Sequence, residues 1–154
     1  PRIIEARERY QRALTAHPRF APAAYALGRL ELNQNEPDRA RRYFENAAAW
    51  LRANEAPRLG IARCDLKRGA IDEAIATLES LNTRPDAELR RSFALVQDPD
   101  PSRPISRQLG EALAAIGEFE RALPHLNRAL EIEPGDPTLR YLKAQALQFR
   151  GELE

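Results

Sequence analysis

Three sets of residues recur along this chain at one common spacing, and that recurrence limits the fold more than any other feature. The first set is Ala6, Tyr10 and Ala13; adding 34 gives Ala40, Phe44 and Ala47, and adding 34 again gives Ala74, Leu78 and Leu81. The next copy, Ala122, Leu126 and Ala129, comes 48 positions later, one period plus 14 extra residues. A second set keeps the same steps: Leu27-Gly28, Ile61-Ala62, Leu109-Gly110 and Lys143-Ala144. A third is Asn35, Gly69, Gly117 and Gly151, and Pro18 and Pro134 close the first and fourth units. A fixed period of this length makes each unit one supersecondary element that cannot bury its apolar face without its neighbours.

Inside each unit the apolar spacing is helical. Helices pack closely only where side chains are small, which gives Gly28, Ala62, Gly110 and Ala144 a purpose on one helix and Ala40, Ala74 and Ala122 on the next. Tyr10, Phe44, Leu78 and Leu126 are then expected to fill the gaps beside them. The turn glycines and Asn35 stand where a helix ends in the left-handed conformation. The reading is all-helical: a helix over 2–16, pairs at 21–34 with 37–52, 55–68 with 71–82 and 104–116 with 118–132, and a last helix over 137–150.

The run LGEALAAIGEFERALPHLNRALEIEP (109–134) carries a leucine and a small residue on one helix, a turn glycine, then alanine, a large apolar residue and alanine before a proline. With the period of 34, it resembles the tetratricopeptide repeat family. The resemblance covers all but roughly residues 89–102. It implies an all-α, right-handed superhelical solenoid of antiparallel helix pairs, each made of a helix A and a helix B. The expected units are 1–20 (partial), 21–54, 55–88, 103–136 and 137–154 (partial), with 89–102 inserted. The first recognisable element is a helix B and the last a helix A, so the chain is expected to be a fragment of a longer array.

The 14 extra residues read LRRSFALVQDPDPS. Asp86 is a candidate cap for a short extra helix over 86–96, with Leu89, Phe93 and Val96 on one face. The run DPDPSRP (98–104) is expected to be non-helical, since proline excludes the helical conformation from the residue before it. The insertion reads as a lengthened connection; a hinge or partner-contacting loop is the alternative. Pro124 falls inside a helix B and is expected to remove the bond to the Glu120 carbonyl and bend the helix without breaking it.

Composition enters chiefly by exclusion. The chain's 154 residues suffice for one domain with a core, and 43% hydrophobic with 31% charged residues suits an exposed helical protein. A net charge of +1 gives no bulk attraction to nucleic acid or anionic membrane. Lys67 and Lys143 are the only lysines, which with the many alanines points to a GC-rich bacterial genome. Cys64 is the single cysteine, so no intrachain disulfide can form, and no apolar run approaches a membrane span of roughly 20 residues. Compartment is left open. Cys64 reads as a buried packing thiol. His17 and His125 stand in no metal-ligand spacing, and no phosphate loop or catalytic motif occurs. Acidic and basic residues alternate at helical spacing, as in Glu5–Arg9, Glu8–Arg12 and Asp38–Arg42, which marks solvated faces. Trp50 reads as packing between repeats. No cofactor, metal or catalytic residue is expected.

The family resemblance implies a concave groove lined by the inner faces of the A helices, usually gripping an extended or helical partner segment. Transferred residue by residue, the stripes are Tyr25, Arg29, Asn33; Leu59, Arg63, Lys67; Arg107, Glu111, Ala115; and Tyr141, Gln145, Phe149. Arg29, Arg63 and Lys67 form a basic wall beside Tyr25, suited to a carboxylate-bearing peptide. Toward Ala115 and Phe149 the groove is expected to be less charged. Chaperone-binding relatives place an asparagine midway along helix A where Arg29 and Arg63 stand here, so a chaperone-tail clamp is not expected. The expected function is a non-catalytic scaffold for a protein or peptide partner, with an acidic segment as the candidate the basic wall suits. The alternatives are an accessory domain of a larger enzyme, or self-assembly through unpaired terminal helices.

Overall fold

The computed structural model describes residues 2–98 and 105–151. They form nine α-helices and no strand: α1 (Arg2–Ala16), α2 (Ala21–Asn33), α3 (Pro37–Trp50), α4 (Glu55–Arg68), α5 (Ile71–Asn82), α6 (Asp86–Leu95), α7 (Ile105–Ala115), α8 (Phe119–Ile132) and α9 (Pro137–Phe149). Every helix the periodicity calls for is present. The chain divides into two compact units, Pro1–Thr77 with Thr83–Pro101, and Leu78–Asn82 with Ser102–Glu154. The end of the DPDPSRP run, after Asp98, lies outside the described residues.

In the first unit α1 packs on α2, α2 on α3, α3 on α4, and α6 on α4. Phe44 of α3 is the wedge of this unit and is 1% exposed. A Cβ added at Gly28 of α2 would stand 2.8 Å from its ring, and one at Gly60 of α4 would stand 2.6 Å away. The aromatic ring thus fills space that two glycines leave open on two helices. Ala40, Ala47 and Ala62 are fully buried beside it. Tyr25 meets the same ring edge-on, with centroids 5.5 Å apart. Tyr10 is different: α1 buries none of its residues, and Tyr10 is 36% exposed rather than filling a gap.

A polar pair also repeats with the period. Arg7 Nε donates to Glu31 Oε1 at 2.8 Å, and 34 positions on Arg41 Nε donates to Asp65 Oδ1 at 3.1 Å. Both acids are buried, at 3% exposure. Burial of a carboxylate costs several kcal/mol unless a charged partner and hydrogen bonds offset it; a helix B arginine supplies the opposite charge and one such bond in each pair, while Glu31 Oε2 is buried without a hydrogen bond. Asp38 reaches across to Arg68 of α4 at 2.9 Å.

In the second unit α7 packs on α8 and α8 on α9. Leu126 replaces the aromatic wedge; a Cβ at Gly110 would lie 2.8 Å from its Cδ2. α8 runs through Pro124 to Ile132 without a break. Arg121 bonds Glu79.

Four helices, α2, α4, α6 and α7, end in one way. Glu36 N–H donates to the Glu31 carbonyl and Asn35 N–H to Leu32, the paired bonds of a left-handed helix stop with Asn35 at φ 60°. Ala70 with Gly69, and Glu118 with Gly117, repeat it at φ 82° and 80°. α6 ends the same way: Asp98 N–H donates to Phe93, Gln97 N–H to Ala94, and Gln97 takes φ 56°. The start of α6 corrects the expectation for Asp86. Pro85 is the N-cap and Asp86 is already helical, because proline's fixed φ suits the extended cap position.

Candidate functional site

The insertion does more than lengthen a connection. Ser92 of α6 is fully buried, accepts from the Ala56 N–H at 2.9 Å, and donates to the Ala53 carbonyl at 2.8 Å. Asn54, the N-cap of α4, makes no side-chain cap bond. Ser92 therefore satisfies an open N–H of the first turn of α4 from another helix, the task a cap normally performs locally. Phe93 and Val96 are buried, at 6% and 3% exposure, and Leu89 is half-buried.

This docking carries the residue after the Gln97 turn to the inner stripe of α2. Tyr25 Oη donates to Asp98 Oδ2 at 2.6 Å, and Arg29 Nη1 donates to Oδ1 at 3.0 Å. The Asp98 side chain is 3% exposed and that of Arg29 is 40% exposed. Burial first, then the hydrogen bond to Asp98 and its charge, holds the Tyr25 phenol well above its ordinary value; Arg63 and Arg29 pull it partly back. The charge of Arg63 is thus felt at the same place. A phenol and one guanidinium N–H close on the two oxygens of one carboxylate. Charge-assisted bonds of this kind are about twice as strong as neutral ones.

The structure therefore brings Tyr25, Arg29 and Arg63 together, and leaves Asn33 and Lys67 exposed at the far end of the stripe. Tyr25 and Leu59, each 2% exposed, are walls of the core more than groove surface. A stripe of every fourth residue drifts by about 40° per step around a helix of 3.6 residues per turn, so its first member rotates into the seam with the neighbouring helix.

In the second unit Arg107 is tied down. Its Nε donates to Glu111 Oε1 at 3.0 Å, and its Nη1 to Glu133 Oε2 at 3.0 Å and Asp136 Oδ2 at 2.7 Å. Asp136 also caps α9, accepting from Leu139 N–H at 3.0 Å. That cap bond first, then Arg107, holds its carboxyl below 3.8. The predicted pair Arg107 and Glu111 thus spend their charge on each other and on the loop before α9. Gln145 is half-buried, Ala115 is exposed, and Tyr141 and Phe149 are 63% and 68% exposed, Phe149 lying 5.1 Å from the Phe119 ring.

Cys64 is fully buried, and burial pushes its thiol up to about 12. His17 is exposed, with its ring 6.3 Å from that of Phe20, and His125 is half-buried in α8. Among the described residues no group of three or more His, Cys, Asp or Glu could hold a metal ion, and no helix is long and apolar enough to cross a membrane.

Three family models, each described as tetratricopeptide repeat, match residues 5–57, 34–98 and 103–146. No curated protein matches the sequence significantly. Among solved structures the chain is similar to MamA, at 17% identity and a TM-score of 0.67, covering 93% of this chain and 75% of that one. It is also similar to a chain of the APC/C hetero-tetramer Cut9-Hcn1, at 19% identity and a TM-score of 0.54, covering 97% of this chain and 34% of that one. A third similarity is to TTC0263, a thermophilic TPR protein in Thermus thermophilus, at 22% identity and a TM-score of 0.48, covering 96% of this chain and 91% of that one. At such identities the first two likenesses show the fold.

Proposed function

Because the chain belongs to the tetratricopeptide repeat family, we propose that it is a non-catalytic scaffold that holds a carboxylate-bearing partner segment against the inner stripe of α2 and α4. Tyr25, Arg29 and Arg63 are the recognising groups. One observation carries the reading: two of these side chains already close on a carboxylate, that of Asp98, at 2.6 and 3.0 Å. A cluster that desolvates one aspartate has the donors, charge and shape to take another.

Binding rather than catalysis is supported by the chemistry of the candidates. The one thiol is packed away and held protonated, and Arg29 and Arg107 show their use here, as carboxylate-binding groups. The Cut9-Hcn1 hetero-tetramer is an assembly that contains a similar fold, which agrees with a scaffold. An array of immobilised acidic peptides tests the proposal. Retention of a subset that weakens with salt and disappears in the Arg29→Gln/Arg63→Gln variant supports it. Retention indifferent to both substitutions overturns it.

A further inference from the structure

We propose that α6 and Asp98 are a built-in occupant of the inner face of α2 and α4, and that a partner enters by displacing them with a helix of the same design. The inference rests on the carboxylate-binding reading above and names what that site accepts: an amphipathic helix with a phenylalanine, a valine three residues on, and an aspartate five residues after the phenylalanine, just past the helix end.

Four observations carry it. The residues that hold the occupant, Ser92, Phe93, Val96 and Asp98, all belong to the insertion that breaks the period, and the period resumes in register after it. It is held by separable contacts: the Ser92 cap on α4, the buried Phe93 and Val96, and the Asp98 carboxylate on Tyr25 and Arg29. Its turn carries a cost, since Gln97 adopts the left-handed conformation at φ 56° where the other helix stops use glycine or asparagine. Its acid is the opposite charge to the wall it meets, so the donors that hold it can be exchanged for another carboxylate.

Competition has a defined size. A tethered segment acts at an effective concentration of about a millimolar, so an internal contact with an intrinsic dissociation constant of about 100 μM masks the site about tenfold. The probe is a fluorescent peptide of residues 86–98, DAELRRSFALVQD, read by anisotropy against the whole chain. The Phe93→Ala/Asp98→Asn variant is expected to bind it about tenfold more tightly than the unaltered chain. Adding Arg29→Gln and Arg63→Gln is expected to remove the gain. Helical circular dichroism and a Cys64 thiol still inert to Ellman's reagent confirm that α4 stays packed.

Equal binding by a folded variant and the unaltered chain overturns displacement and leaves the carboxylate site standing. If hydrogen exchange shows α6 released and the peptide still does not bind, the carboxylate site itself is overturned. Should the variant unfold, the unaltered chain supplies the answer through a peptide carrying benzoylphenylalanine in place of Phe93. Photolabelling of α2 or α4 supports the inference, and no labelling at millimolar peptide overturns it.

Discussion

Tyr25 and Asp98 are 73 positions apart in sequence and 2.6 Å apart in space, phenol to carboxylate, inside the first unit. The bond ties the core of α2 to the end of the insertion. Hydrogen bonds to charged groups contribute about 1.5–3 kcal/mol, so Tyr25→Phe is expected to lower stability by about that much in chemical denaturation. The phenol's proton affinity is raised in the folded state, so its contribution is complete below the ordinary value of 10.0 and fades as pH rises through the folded value. Alkaline titration at the phenolate absorbance should show one tyrosine ionising only with unfolding, and Tyr25→Phe should abolish that late step.

Phe44 is closed in from two helices, α2 and α4. Gly28 and Gly60 each leave space against its ring, and a methyl at Gly60 would arrive 2.6 Å away. Gly60→Ala gains up to about 1 kcal/mol of helix propensity but overpacks the core at a cost of about 1–3 kcal/mol. A net loss of stability is expected, and Phe44→Leu placed beside it should recover part of that loss. A simple gain in melting temperature for Gly60→Ala would contradict the wedge.

The repeating polar pair can be separated from the fold. Arg41→Leu leaves Asp65 buried with only the longer contact to Arg68, at 3.5 Å. A loss of about 3 kcal/mol is expected, the low end for an abandoned buried charge. The double variant Arg41→Leu/Asp65→Leu should return close to the parent, because replacing both partners removes the desolvation cost. The second unit carries Leu123 and Leu147 at the corresponding positions of the period. A urea midpoint for the double variant no better than for Arg41→Leu would contradict this.

Acid should weaken the second unit in two steps. Burial holds the His125 imidazole below 6.5, with Arg121 and Arg128 adding to it against Glu79. The unfolded chain then binds a proton the folded one resists, so stability falls as pH drops below 6.5. The Asp136 carboxyl, held below 3.8, contributes fully above that value and loses its contribution as pH falls through the folded one. Urea midpoints measured from neutral pH to about pH 3 should lose the first step in His125→Asn and the second in Asp136→Ala.

The helices and their ends were legible because the period of 34 places small residues, large apolar residues and left-handed stops at fixed offsets. The extra helix was legible too, from Leu89, Phe93 and Val96 on one face. Its destination was not. Asp98 meets Tyr25 outside any period, and Ser92 in mid-helix carries no mark of capping a different helix. Gly60 stands outside the three recurring sets and gave no reason to be paired with Phe44. Arg7–Glu31 and Arg41–Asp65 did keep the period, and a search for recurring charges as well as recurring alanines would have found them. Arg29 and Arg63 were visible as a basic wall, but a stripe of side chains does not disclose that the chain brings its own carboxylate to them.

Hydrogen exchange of the whole unaltered chain, with and without the 86–98 peptide, tests the central claim most directly. A removable occupant requires that α6 open on its own, so its amides should exchange well before those of α3 and α4, and added peptide should speed α6 alone. Exchange of α6 in step with α4, unchanged by the peptide, would make the insertion a fixed part of the core and contradict the account.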